Sequence, residues 1–213
     1  VIADVEGDCN VTVVLNDNKK YQIKDFAGNV IFESDEATGY TRFTDEKHFP
    51  VAACQNVTAT AIFDLHTANS PTPTCEGTNS RTATLDFADS VDDAFYDSWT
   101  LPASFGGTIN GHFRWKGVNT TNAVGWCMQL VRVPDGATSD PSFPALSSSN
   151  CVSDTAKGTT LQENVATITG VTCTSCVAGD RVNVRIYRDW NGTVVTDSFV
   201  GDAKLITYGR TIR

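Results

Sequence analysis

The chain has 213 residues, 40% of them hydrophobic and 19% charged, with a formal net charge of −9. That length suits one large domain, or one domain with a smaller appendage. The negative charge disfavours nucleic acid and anionic membrane surfaces as partners, and no run of about 18 apolar residues is present to insert into a bilayer. Low charge with abundant Thr, Val, Asn, Asp and Gly favours strands and turns over helices, so an all-β chain is expected.

The chain begins at Val1, without an initiator Met, as expected when a leader has been removed or when the chain is part of a longer product. Residues 1–48 read as a small β module. Val11, Val13 and Leu15 alternate with Thr12 and Val14, and a polar turn follows at Asn16 to Lys19. A second strand is expected at 21–26, a turn at Ala27-Gly28-Asn29 and a third strand at 30–32. The polar stretch 34–47 reads as a connector. Such a meander has an apolar face but too few residues to enclose a core, and its strands present edges. Its expected use is contact with other copies of the chain, by strand addition.

The region 49–213 reads as an antiparallel, jelly-roll-like β-sandwich. Strands are expected at 57–65, 81–87, 98–101, 107–115, 125–133, 165–171, 181–188, 194–199 and 203–211. Loops are expected at 66–79, 116–123 and 134–157, and only 154–163 has a pattern that allows a helical turn. The last strands carry the clearest signal. Val182, Val184 and Ile186 alternate with Arg181, Asn183, Arg185 and Tyr187, which argues for one buried face. Asn191-Gly192 then suggests a type I′ hairpin turn into the strand at 194–199.

Seven cysteines are present: Cys9, Cys54, Cys75, Cys127, Cys151, Cys173 and Cys176. Without a metal motif, they point to at least one disulfide and an oxidising, extracellular setting. Cys54 and Cys75 bracket one expected strand and its following loop, so they are expected to pair. Pairing among Cys127, Cys151, Cys173 and Cys176 stays open, and Cys9 is the expected unpaired or intermolecular thiol. Redox Cys-x-x-Cys motifs open a helix, whereas Cys173-x-x-Cys176 precedes a strand. It therefore reads as disulfide chemistry. No second such pair completes a zinc site.

Asp86, Asp89, Asp92 and Asp93 lie close enough in sequence to suggest calcium ligands, but the EF-hand spacing is absent and a solvated acidic loop is the simpler reading. No Gly-x-Ser-x-Gly elbow or paired-histidine spacing occurs, so neither an enzyme nor a cofactor is expected. Trp115 and Trp126 sit in apolar strands and read as core. Trp190, beside the turn, is the candidate for stacking on a glycan.

Several pieces of the larger region fit one pattern. They include Phe-Pro-Val-Ala-Ala-Cys-Gln at 49–55, Ala-Thr-Leu-Asp-Phe-Ala-Asp at 83–89, Trp-Thr-Leu-Pro at 99–102 and Val-Gly-Trp at 124–126. The pieces at 109–115, 179–189 and 201–205, with Asp197, continue it. In order and spacing they resemble a β-sandwich module of uncharacterised phage virion and tail-fibre-like structural proteins. The resemblance implies a non-enzymatic tail, fibre or decoration subunit on a virion or secreted assembly. Its partners would be copies of itself or other particle proteins. Two alternatives stand beside it: a subunit of an extracellular filament joined by strand exchange, and an extracellular carbohydrate-binding module whose partner is a surface glycan.

Overall fold

The computed structural model describes residues 20–24, 30–35, 40–48, 70–76, 82–103, 105–137 and 140–212, the first three ranges as backbone strands only. The chain divides into two units, Val1–Phe43 and Thr44–Arg213. Strands β1 (Lys20–Lys24), β2 (Val30–Asp35) and β3 (Tyr40–His48) pair antiparallel in sequence order, with Ile23 opposite Phe32 and Phe32 opposite Phe43. The stretch expected to be a connector therefore holds most of β3, Tyr40 to Lys47. Strand β2 offers it an edge to pair with. The strands expected around Val13 and at 57–65 lie outside the described residues.

The larger unit contains β4 (Thr72–Glu76), β5 (Thr82–Phe87), β6 (Ala94–Thr100), β7 (Thr108–Lys116), β8 (Ala123–Val133), β9 (Cys151–Thr155), β10 (Asn164–Thr172), β11 (Arg181–Arg188) and β12 (Ala203–Ile212). They form two antiparallel sheets, ordered β4-β5-β12-β7-β10 and β6-β11-β8-β9, packed as a sandwich. Among the described residues, the helical structure is the single 3₁₀ turn Ser148–Asn150, and no helix is long and apolar enough to cross a membrane.

Alternation builds the core. Val124, Trp126, Met128 and Leu130 of β8 face inward beside Val182, Val184 and Ile186 of β11. Across the gap stand Phe113 and Trp115 of β7, Leu205 of β12 and Phe87 of β5. Trp126 lies at the centre, its ring centroid 5.1 Å from Phe87 edge-on and 5.7 Å from Phe113 in a stack. Strand β12 shifts register between Leu205 and Thr207. That bulge breaks the simple alternation and lets Tyr208 join Leu205 in the core.

Several expectations need correction. Strand β4 falls in the expected loop 66–79. Its sequence shows no apolar alternation because, among the described residues, it pairs only with β5, and a strand paired on one side tolerates Pro73. Strand β9 falls in the expected loop 134–157, and 154–163 forms no helix. Its five residues pair with the first half of β8, where Cys151 faces Cys127.

Residues 194–199 form no strand, and Asn191 does not adopt the positive φ that a type I′ turn requires. The Asp189 carboxylate explains both departures. It accepts bonds from the backbone N–H groups of Thr193, Val194 and Val195 and from the Thr193 hydroxyl, at 2.8 to 3.2 Å. Donors that would have entered a ladder are taken by a side chain.

Gly117 marks where this loop meets the sheets. A Cβ built there would lie 2.2 Å from Cζ of Phe199, which is itself buried. Gly117→Ala is expected to cost about 1–3 kcal/mol by overpacking. A urea-unfolding midpoint that matches the parent would refute that contact.

Candidate functional site: an arginine and aromatic strip

Since β11 buries Val182, Val184 and Ile186, its register turns Arg181, Asn183 and Arg185 to the opposite face of the four-stranded sheet. Pairing with β6 and β8 sets them in three cross-strand rows. Tyr96, Arg185 and Gln129 form one row, Ser98, Asn183 and Val131 the next, and Thr100, Arg181 and Val133 the third.

The first row is the most built. Tyr96 is 55% exposed, with its ring 5.9 Å from that of Phe143. The Arg185 guanidinium lies 5.4 Å from the ring centroids of both Phe143 and Tyr187. Its Nε donates to Oε1 of Gln129 at 2.6 Å, and the Gln129 amide in turn donates to the carbonyl of Pro144. Arg185 is therefore held by two rings and an amide rather than by a carboxylate.

Phe143 reaches this face because the segment after β8 folds back over the sheet. Leu146 of that segment packs against a buried cluster of Ala94, Cys127, Cys151 and Tyr187, and the Cys127–Cys151 disulfide closes the segment at its base. Burial, followed by a hydrogen bond to Asp92, pushes the Tyr187 hydroxyl well above its ordinary range, so it stays a neutral donor.

Arg181, in the third row, is exposed and donates to Oδ1 of Asn183 at 3.2 Å. Among the described residues neither Arg181 nor Arg185 has a carboxylate partner. Ion pairs among the described residues are Arg114–Glu163, Lys116–Glu76, Arg132–Asp180, Arg188–Asp197, and Lys204 with both Glu76 and Asp86.

The four aspartates read as calcium candidates are held apart by separate partners. Asp86 is buried and accepts from the hydroxyls of Thr74 at 2.8 Å and Thr84 at 2.7 Å, besides its pairing with Lys204. Asp89 accepts from the Gly201 N–H and Asp92 from the Asn191 amide. Asp93 accepts from the Ala88 N–H, and burial pushes its carboxyl above the ordinary range. Among the described residues no three His, Cys, Asp or Glu side chains gather as a cation site.

Trp190 is half-buried in the turn after β11, beyond the three rows, while Trp115 and Trp126 are fully buried. Cys173 is bonded to Cys176 in the turn before β11. Cys75 is disulfide-bonded. Its expected partner Cys54 lies outside the described residues, as does Cys9.

The alternation of β11 already placed Arg181, Asn183 and Arg185 on one face. Tyr96 lay just ahead of the expected strand 98–101, and nothing in the loop sequence singled out Phe143.

No protein-family model matches the chain, and no curated protein matches it. Among solved structures it is similar to TmCBM61, determined in complex with beta-1,4-galactotriose. That likeness has 14% identity and a TM-score of 0.32, over 62% of this chain and 71% of that one, which is too weak to bear on function.

Proposed function

We propose that the protein is a non-enzymatic, extracellular carbohydrate-binding module that lays a glycan along the outer face of the four-stranded sheet. The observation that carries this reading is the first row. An exposed tyrosine ring stands on a rigid strand beside a second aromatic ring and a guanidinium fixed between rings. A sugar ring offers an apolar face and a rim of hydroxyls. An aromatic platform covers the face, and a few fixed polar groups read the rim. Strands hold such groups more exactly in place than loops do, so little ordering is needed on binding. The disulfides suit an oxidising location. The phage-particle reading rests on the sequence resemblance of 49–213, and no described geometry favours it over this one.

Affinity electrophoresis of the full chain against a panel of soluble polysaccharides tests the proposal. At least one polymer is expected to retard the protein, and Tyr96→Ala is expected to weaken that retardation about tenfold or more, or 1.4 kcal/mol. Tyr96 is mostly exposed, so its removal leaves the core intact. Equal retardation of the variant, or none of the parent by any polymer, would refute the proposal.

A further inference from the structure

We infer that the strip selects an acidic polysaccharide, one with carboxylate or sulfate groups spaced along the chain, and that Arg181 and Arg185 read those groups. This rests on the glycan reading above. The chain carries 25 acidic residues against 16 Lys and Arg. Among the described residues Arg114, Lys116, Arg132, Arg188 and Lys204 each pair with a carboxylate, and the Lys157 ammonium donates to the Glu163 carbonyl. Arg181 and Arg185 have none among the described residues, and none of the three rows contains an Asp or Glu. Asp180, at the near end of β11, is occupied by both Nε and Nη2 of Arg132.

The geometry fits a repeating anion. Arg185 spends Nε on Gln129, and its two terminal nitrogens make no hydrogen bond to a described residue. That leaves a planar fork suited to bidentate contact with a carboxylate or sulfate. Arg181 and Arg185 stand four residues apart on the same strand face, about 13 Å at about 3.3 Å per residue. Such a span matches charges repeated along an oligosaccharide rather than a single acidic sugar. Asn183 and the hydroxyls of Ser98 and Thr100 lie between and beside them, where the uncharged hydroxyls of the polymer would pass.

Single-stranded nucleic acid also combines anions with stacking surfaces. The chain's net charge of −9 opposes a dense phosphate backbone and tolerates sparser charges better. The same repulsion suppresses nonspecific adsorption of any polyanion, so retention reports the local strip.

The experiment is affinity electrophoresis and titration calorimetry of the full chain with polygalacturonate, dextran sulfate, unmodified dextran, neutral galactan and oligo-dT. At least one of the two acidic polymers is expected to bind about tenfold or more tightly than either neutral one, and which of them wins assigns carboxylate or sulfate. Arg181→Gln and Arg185→Gln are each expected to reduce that preference severalfold. Raised salt should remove it, as for exposed charges. Arg181 is exposed, so its variant keeps the fold. An unchanged urea midpoint for Arg185→Gln would show the same for the other. Equal binding of neutral and acidic polymers, or binding indifferent to both arginine variants, overturns the inference and leaves the glycan reading standing. Binding to none of the polysaccharides, or only to oligo-dT, overturns both.

Discussion

Arg188→Met is expected to lower the unfolding free energy by about 3–5 kcal/mol, the usual cost of breaking a buried ion pair from one side. Arg188 and Asp197 side chains are each 1% exposed. Nε and Nη2 of Arg188 donate to the two Asp197 oxygens at 2.9 and 3.1 Å. Nη1 donates to the carbonyls of Phe87 and Gly201, both at 2.9 Å, and Nη2 also donates to that of Phe199 at 2.7 Å. These bonds use the full donor capacity of the guanidinium. Through them β11 of one sheet is tied to the end of β5 in the other and to the loop before β12.

A methionine would fill much of the volume but strand a buried carboxylate and three carbonyls. Adding Asp197→Asn removes the stranded charge, so the double variant should recover part of the loss, but not the carbonyl contribution. Equilibrium urea unfolding of the parent, the single variant and the double variant is the measurement. A single-variant loss below about 1 kcal/mol would show that the pair is screened rather than buried, and would refute the argument.

Removing the Cys127–Cys151 disulfide by the double substitution Cys127→Ala and Cys151→Ala is expected to cost about 3–4 kcal/mol. The two residues are 24 apart in sequence. A cross-link closing a loop of that size removes conformational freedom from the unfolded chain by roughly that amount. Cys127 is fully buried and Cys151 nearly so, and both belong to the cluster that seats Leu146 on the sheet. Alanine at both positions keeps the site dry and avoids burying two hydroxyls.

The substitution should also reach the strip. Phe143, which flanks Tyr96 and Arg185, sits on the segment the disulfide closes. Glycan affinity should therefore fall together with stability, and Tyr96→Ala should cost less in the disulfide-free protein than in the parent. Unfolding by urea under non-reducing conditions gives the first number and calorimetry with the best polymer gives the second. Equal stability of the two proteins would refute the entropic argument. Full affinity in the disulfide-free protein would show that Phe143 is seated by packing alone.

How much of this was legible in the residues differs from strand to strand. The alternation in 181–188 identified β11 and its two faces, because a strand buried on one side must repeat every second residue. That pattern separated the core valines from Arg181, Asn183 and Arg185 before any pairing was known. The apolar settings of Trp115 and Trp126 likewise marked them as core. Strands β4 and β9 stayed hidden because each is short, polar and, among the described residues, paired on one side only, so neither needs a continuous apolar face.

Local signals failed where a distant or charged partner competed with them. Asn191-Gly192 suggested a hairpin, but the Asp189 carboxylate took the backbone donors that the second strand required. The strand expected at 203–211 formed, but a bulge against β7 turned Tyr208 into the core beside Leu205. For Asp86, Asp89, Asp92 and Asp93 a solvated acidic loop is the simpler reading beside calcium, but Asp86 and Asp93 are buried on their own donors.

By itself the sequence determined the all-β class, the core face of its clearest strands and a set of cysteines suited to disulfides, because these follow from local periodicity and composition. Which cysteines pair, which arginines lack a carboxylate among the described residues, and which loop brings Phe143 beside Tyr96 and Arg185 were decided only by the tertiary structure. Apart from Cys173–Cys176, three residues apart, these turn on contacts between residues tens of positions apart, which depend on sheet register that no local pattern encodes.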